Sequence, residues 1–129
     1  MEDNNERRRE QRLRYQWPIW FAEDFNDTLS QGQMVDVSSM AAAFTCQSVD
    51  RCPYAGQHLT ARFSVPRFLP GQSFDMTSFT RSVKVRRVDE VNNFMRRVTV
   101  QFVYPLPFKP GEQAGSESET LQKLKAVTI

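Results

Sequence analysis

"HLTARFSV", residues 58–65, alternates without a break: Leu59, Ala61, Phe63 and Val65 fall on one face, and His58, Thr60, Arg62 and Ser64 on the other. A strand with one side in a core and the other in water has this pattern, and such strands build antiparallel sheets. "RVTVQFVY", residues 97–104, repeats it with Val98, Val100, Phe102 and Tyr104. Working outward from this pair, turn punctuation delimits four more strands: Tyr15 to Ala22, Gln33 to Val37, Ala42 to Gln47, and a long one from Phe74 to Val88. In the long strand the alternation slips at Arg86-Arg87, which predicts a bulge. Six strands with no helical period between them predict an all-β fold, a small six-stranded antiparallel barrel. Closure also removes exposed sheet edges.

The ends read differently. After "YPLPFKPGEQAG", residues 104–115, Ser116 and Glu119 have capping-box spacing, Glu119 and Lys123 are four apart, and Leu121, Leu124 and Val127 lie on one side. A short C-terminal helix is expected there. The organisation is then a flexible arginine-rich arm over 1–14, a barrel over 15–108, and a linker with a short helix over 109–129. A chain of 129 residues buries one core. No apolar run approaches the roughly 18 residues of a membrane span, and no signal-like stretch opens the chain. The expectation is a cytoplasmic protein without membrane insertion. A net charge of +2 is too small for general attraction to polyanions, so any anion site must be local.

Groups for catalysis are sparse. The lone His58 sits on the polar face of its strand, and no P-loop, GxGxxG or GxSxG motif is present. No enzymatic activity and no cofactor are expected. Cys46 and Cys52 have no second Cys or His pair to complete a zinc site, and read as reduced thiols, Cys46 packed in a strand. Arg81, Lys84, Arg86, Arg87, Arg96 and Arg97 are expected on a solvated sheet exterior, and Trp17 and Trp20 in the core or at its rim. Two segments stand out. In Arg7-Arg8-Arg9-Glu10-Gln11-Arg12, Arg8 and Arg12 are four apart, ahead of the first strand; in "VDVSSMA", residues 35–41, Asp36 and Ser38 alternate to one side of a strand end and Val35 and Val37 to the other. Taken singly, the first reads as a solvated tail or an anion clamp, the second as turn capping or a ligand contact.

In this order, ahead of a barrel, the two segments resemble the PilZ family of bacterial cyclic di-GMP receptors, with its RxxxR and [DN]xSxxG motifs. The resemblance covers about residues 6 to 104. It implies cyclic di-GMP as ligand and Arg7, Arg8, Arg12, Asp36, Ser38 and Ala41 as ligand-binding positions. Ala41 departs from the pattern, standing where the family has glycine. The chemistry suits the ligand: arginine offers planar forks to phosphates and stacks on bases, and a carboxylate accepts from the donor edge of guanine. The resemblance implies a receptor and adaptor whose arm orders on binding and alters contact with a protein partner. Alternatives are a degenerate PilZ-like interaction module that binds no nucleotide, and a barrel that binds single-stranded nucleic acid through its basic face.

Overall fold

The computed structural model describes residues 10–26, 28–49, 51–68 and 74–113. Its strands are β1 (Leu13–Arg14), β2 (Pro18–Ala22), β3 (Ser30–Val37), β4 (Ala41–Gln47), β5 (His58–Phe68), β6 (Phe74–Glu90) and β7 (Met95–Phe102), followed by a 3-10 turn, Pro110–Glu112. All pairings are antiparallel: β3, β2, β5, β6, β7 and β4 succeed one another, and β4 pairs back onto β3. This closes a six-stranded barrel. The two-residue β1 continues the path of β2 along the same strand, placing Leu13 opposite Val37 and Arg14 opposite Asp36.

The alternating residues of the sequence line the interior. Ile19, Phe21, Met34, Val37, Phe44, Ala61, Phe63, Val65, Val83, Val85, Val98, Val100 and Phe102 are all buried, each large side chain contributing about 1.5–3 kcal/mol by leaving water. Phe63 stacks on Phe102 with ring centres 5.4 Å apart. Inward positions in β6 run Val83, Val85, then Val88, so the expected bulge is present between Val85 and Arg87. A second bulge, between Met34 and Asp36 of β3, was not foreseen. It separates Val35, which is half-buried, from Val37 in the core, although strict alternation puts them on one face.

Leu13 and Arg14, assigned from sequence to the arm, belong to the sheet, and Leu13 is in the core. Residues 1–9 and the expected helix after residue 115 lie outside the described residues. Among those described, the helical structure is the 3-10 turn, and no helix is long and apolar enough to cross a membrane. The start of the expected linker packs closely: the Gln113 amide donates to the carbonyls of Pro66 and Pro110 at 3.0 and 3.1 Å and its Oε1 accepts from Phe68 N at 3.0 Å. The segment from Pro105 to Gln113 therefore reaches the end of β5, with Phe108 between Phe79 and the guanidinium of Arg67, which lies 4.4 Å from its ring centre.

Candidate functional site

The turn from β3 to β4 is built by Ser38. Its backbone N–H donates to the carbonyl of Ala41 at 2.8 Å, and its Oγ accepts from the amides of Met40 and Ala41 at 3.2 and 3.1 Å. A serine hydroxyl that satisfies two turn amides fixes the turn without help from elsewhere. The next two carbonyls are taken from the other side, Ser39 O by Leu106 N and Met40 O by Phe102 N, both at 2.8 Å. The turn is therefore a rigid shelf on the barrel. No non-glycine residue described has positive φ, so Ala41 enters β4 in ordinary extended backbone, and its departure from glycine stores no strain at that position. Ala41→Gly is accordingly expected to lower stability by a few tenths to about 1 kcal/mol through the freer unfolded chain. Denaturant titration measures the loss.

Just before the turn, the β3 bulge sets Asp36 on the outer face while returning Val37 to the interior. Two arginines converge on its carboxylate: Arg12 Nη1 donates to Oδ1 at 3.1 Å and Arg97 Nη2 to Oδ2 at 3.2 Å. Arg14 stands opposite on β1. Arg97 reaches Asp36 because Ala43 lies between them: it pairs with Asp36 on one side and with Thr99 on the other, and Arg97 is two residues along β7 from Thr99. A single methyl there leaves room for the arginine to cross β4. The Asp36 side chain is 9% exposed, those of Arg12 and Arg97 21% and 40%. The charge is thus paired where water is scarce, so removing one partner costs more here than at the exposed Arg87–Asp89 bridge. Tyr15, also buried, donates its hydroxyl to Ser64 O at 2.8 Å; its phenol is pushed far above the usual range by burial and, secondarily, by the charge of Asp36.

The chain entering β1 is fastened to this shelf. Glu10 accepts from Ser39 N at 2.7 Å and from Ser39 Oγ at 2.6 Å, and Gln11 N donates to Glu112 Oε2 at 2.9 Å. Of the positions assigned from sequence, Arg12, Asp36, Ser38 and Ala41 come together here; Arg7 and Arg8 lie outside the described residues. Glu10, Ser39 and Arg97 were missed. The strand cations do not share one solvated face: Lys84, Arg86 and Arg87 are exposed, Arg97 is on Asp36, and Arg81 and Arg96 each bury Nε. Arg81 lies on the inward register of β6, opposite Ala61, over the Phe79 ring at 5.2 Å, and donates to Thr80 O. Trp17 packs against the core as expected, whereas Trp20, between inward Ile19 and Phe21, is half-buried on the outer face of β2; both flank a cleft with Gln31 and Gly32.

Fold and site together define a closed six-stranded barrel with an arginine-bearing entry segment folded over a carboxylate at the β3–β4 turn. No protein-family model and no curated protein sequence matches the chain. Among solved structures it is similar to the Bacillus subtilis inhibitor of motility (MotI/DgrA), with a TM-score of 0.58 and 13% identity over 93% of this chain and 50% of that one. At that identity the likeness concerns the fold, and this chain spans about half the length of that protein.

Proposed function

We propose that the protein is a cyclic di-GMP receptor that acts as an adaptor, coupling the nucleotide to a protein partner through its arginine-bearing N-terminal segment. The observation that carries this reading is the convergence of Arg12 and Arg97 on Asp36 beside the Ser38 turn. Without ligand, each carboxylate oxygen is held by one guanidinium. Guanine presents N1–H and N2–H₂ as adjacent donors, the edge that can replace a guanidinium on a carboxylate. The displaced arginine is then free to meet a phosphate of the same ligand, so one exchange satisfies both charges. Arg97, the more exposed of the two, is the cheaper to displace. The motifs and the barrel, an architecture shared with MotI/DgrA, support the same reading. A shift of Glu10 and Arg12 toward the bound ligand would alter the surface around Ser39 and the half-exposed Met40 beside it, a changed contact for a partner. The setting proposed is cytoplasmic.

The test is calorimetric titration with cyclic di-GMP, GTP and a short oligonucleotide. Saturable heat with the cyclic dinucleotide alone is expected. Arg12→Ala should weaken binding tenfold to a hundredfold, about 1.5–3 kcal/mol, and Arg12→Lys should also bind poorly because a point charge cannot replace the planar fork. A second reading has its own support: both oxygens of Asp36 are already satisfied within the chain. A degenerate interaction module would show no heat with any of the three. Oligonucleotide binding that fell steeply with salt and survived Asp36→Ala would instead mark a nucleic-acid-binding barrel.

A further inference from the structure

Five residues along β4 from Ala41, roughly 17 Å at strand rise, the barrel ends in a pair of thiols. Cys46 is buried and packs in the core; Cys52 is half-buried, returns from the loop after β4, and lies with its Sγ 4.0 Å from that of Cys46. Both are free. They open on a cleft of about 380 Å³ that Ser30, Gln31 and Arg51 also line. Arg96 faces Cys46 across the β4–β7 ladder, and its buried Nε has no hydrogen-bond partner among the described residues. A disulfide needs the sulfurs about 2 Å closer, a movement within reach of a side-chain rotation and a small shift of the loop that carries Cys52. The charge of Arg96 favours the Cys46 thiolate against the burial that disfavours it.

We propose that Cys46 and Cys52 form a peroxide-oxidisable pair that closes to an intramolecular disulfide, at the end of the barrel remote from Asp36. The Cys52 thiolate, the more exposed of the two, attacks a peroxide oxygen. The O–O bond breaks, Cys52 becomes a sulfenic acid, and the departing hydroxide takes the thiol proton as water. The Cys46 sulfur then attacks the Cys52 sulfur, the S–O bond breaks, and that hydroxide leaves as a second water with the proton of Cys46. Two thiols have given two electrons to one peroxide. The order follows from exposure: Cys52 is half-buried at the cleft, whereas Cys46 is buried in the core, where burial first, then the charge and hydrogen bonding of Cys52, push its thiol up to about 12 against the opposing charge of Arg96. The product ties the loop after β4 to the strand that begins at the candidate site.

The full chain is treated with hydrogen peroxide and digested without reductant for mass spectrometry. The expected product has lost the mass of two hydrogens and yields a Cys46–Cys52 cross-linked peptide that disappears with dithiothreitol. Cys46→Ala should stop at a sulfenic acid on Cys52, trapped by dimedone. Cys52→Ala should leave Cys46 unlabelled while the protein is folded. Thiols of the wild-type chain that survive peroxide unchanged, disulfides found only between chains, or dimedone on Cys46 with Cys52 absent would each overturn the proposal.

Discussion

Asp36→Ala is expected to do double damage: loss of about 1.5–3 kcal/mol of folding stability and loss of cyclic di-GMP binding by a hundredfold or more. The first effect comes from what remains after the carboxylate has gone. Arg12 and Arg97 lose their acceptor, and the exposed Arg14 stands cross-strand on β1 at the same register, a third cation there. Removing one partner of a fully buried pair costs about 3–5 kcal/mol; here Arg12 and Arg97 are partly exposed and can turn toward water, so the lower range applies. The second effect follows from the proposed exchange, in which Asp36 is the acceptor for the guanine edge. Asp36→Asn separates the two. It preserves shape and one acceptor but no charge, and should recover part of the stability while binding stays weak. Chemical denaturation and calorimetry on the same preparations provide both readings. Wild-type stability and affinity in the alanine variant would remove Asp36 from the site. Reduced stability in a protein whose wild type never bound the nucleotide would leave the interaction-module reading standing.

How far the sequence could show this site is clear from its parts. Period two in His58–Val65 and Val98–Phe102 was sufficient for the barrel, because one residue in two had to fill the interior. The bulge of β6 was equally visible, since Val83, Val85 and Val88 break step by one. In β3 the same break, Met34 to Val37, was hidden by Val35, an apolar residue that can occupy either face. Arg97 was read as an ordinary outward strand residue. Its role depends on register: only the pairing of Ala43 with both Asp36 and Thr99 brings it to the carboxylate, and a register is not written in local pattern. Glu10 was concealed for another reason. In a run of arginines it reads as charge balance, whereas the structure sets it on the amide and hydroxyl of Ser39, 29 residues away. The signal available in sequence was Ser39 itself, a second hydroxyl in a turn that Ser38 alone already closes.

The contact most sensitive to one added carbon is remote in sequence from both motifs. A Cβ at Gly111 would be built into the carbonyl oxygen of Gln11 and within 2.7 Å of the carbonyl carbons of Gln11 and Arg12. Those are backbone atoms, which cannot rotate aside, so in Gly111→Ala either the 3-10 turn or the segment entering β1 must move. The turn is held to the end of β5 by two bonds of Gln113, to Pro66 and Phe68, and a third closes onto Pro110 within the turn. The entering segment is held by part-buried side-chain contacts, Glu10 on Ser39 and Arg12 on Asp36, and by Gln11 N on the exposed Glu112 carboxylate, until Leu13 reaches the core. The segment is therefore expected to yield, from Arg12 backward. Overpacking of this kind costs about 1–3 kcal/mol, and it detaches Arg12 from Asp36 without altering either residue. Trypsin should then cut after Arg12 at least about tenfold faster than in the wild type, because a locally opened bond is cleaved in proportion to its open population. The near-ultraviolet spectrum of the barrel should be unchanged. Cyclic di-GMP affinity should fall about as far as in Arg12→Ala, since the clamp is lost by displacement in place of truncation. If Gly111→Ala is destabilised yet Arg12 remains protected and the ligand binds normally, the turn is what moves, and the segment is fastened to the barrel more firmly than its bonds to Ser39 and Asp36 imply.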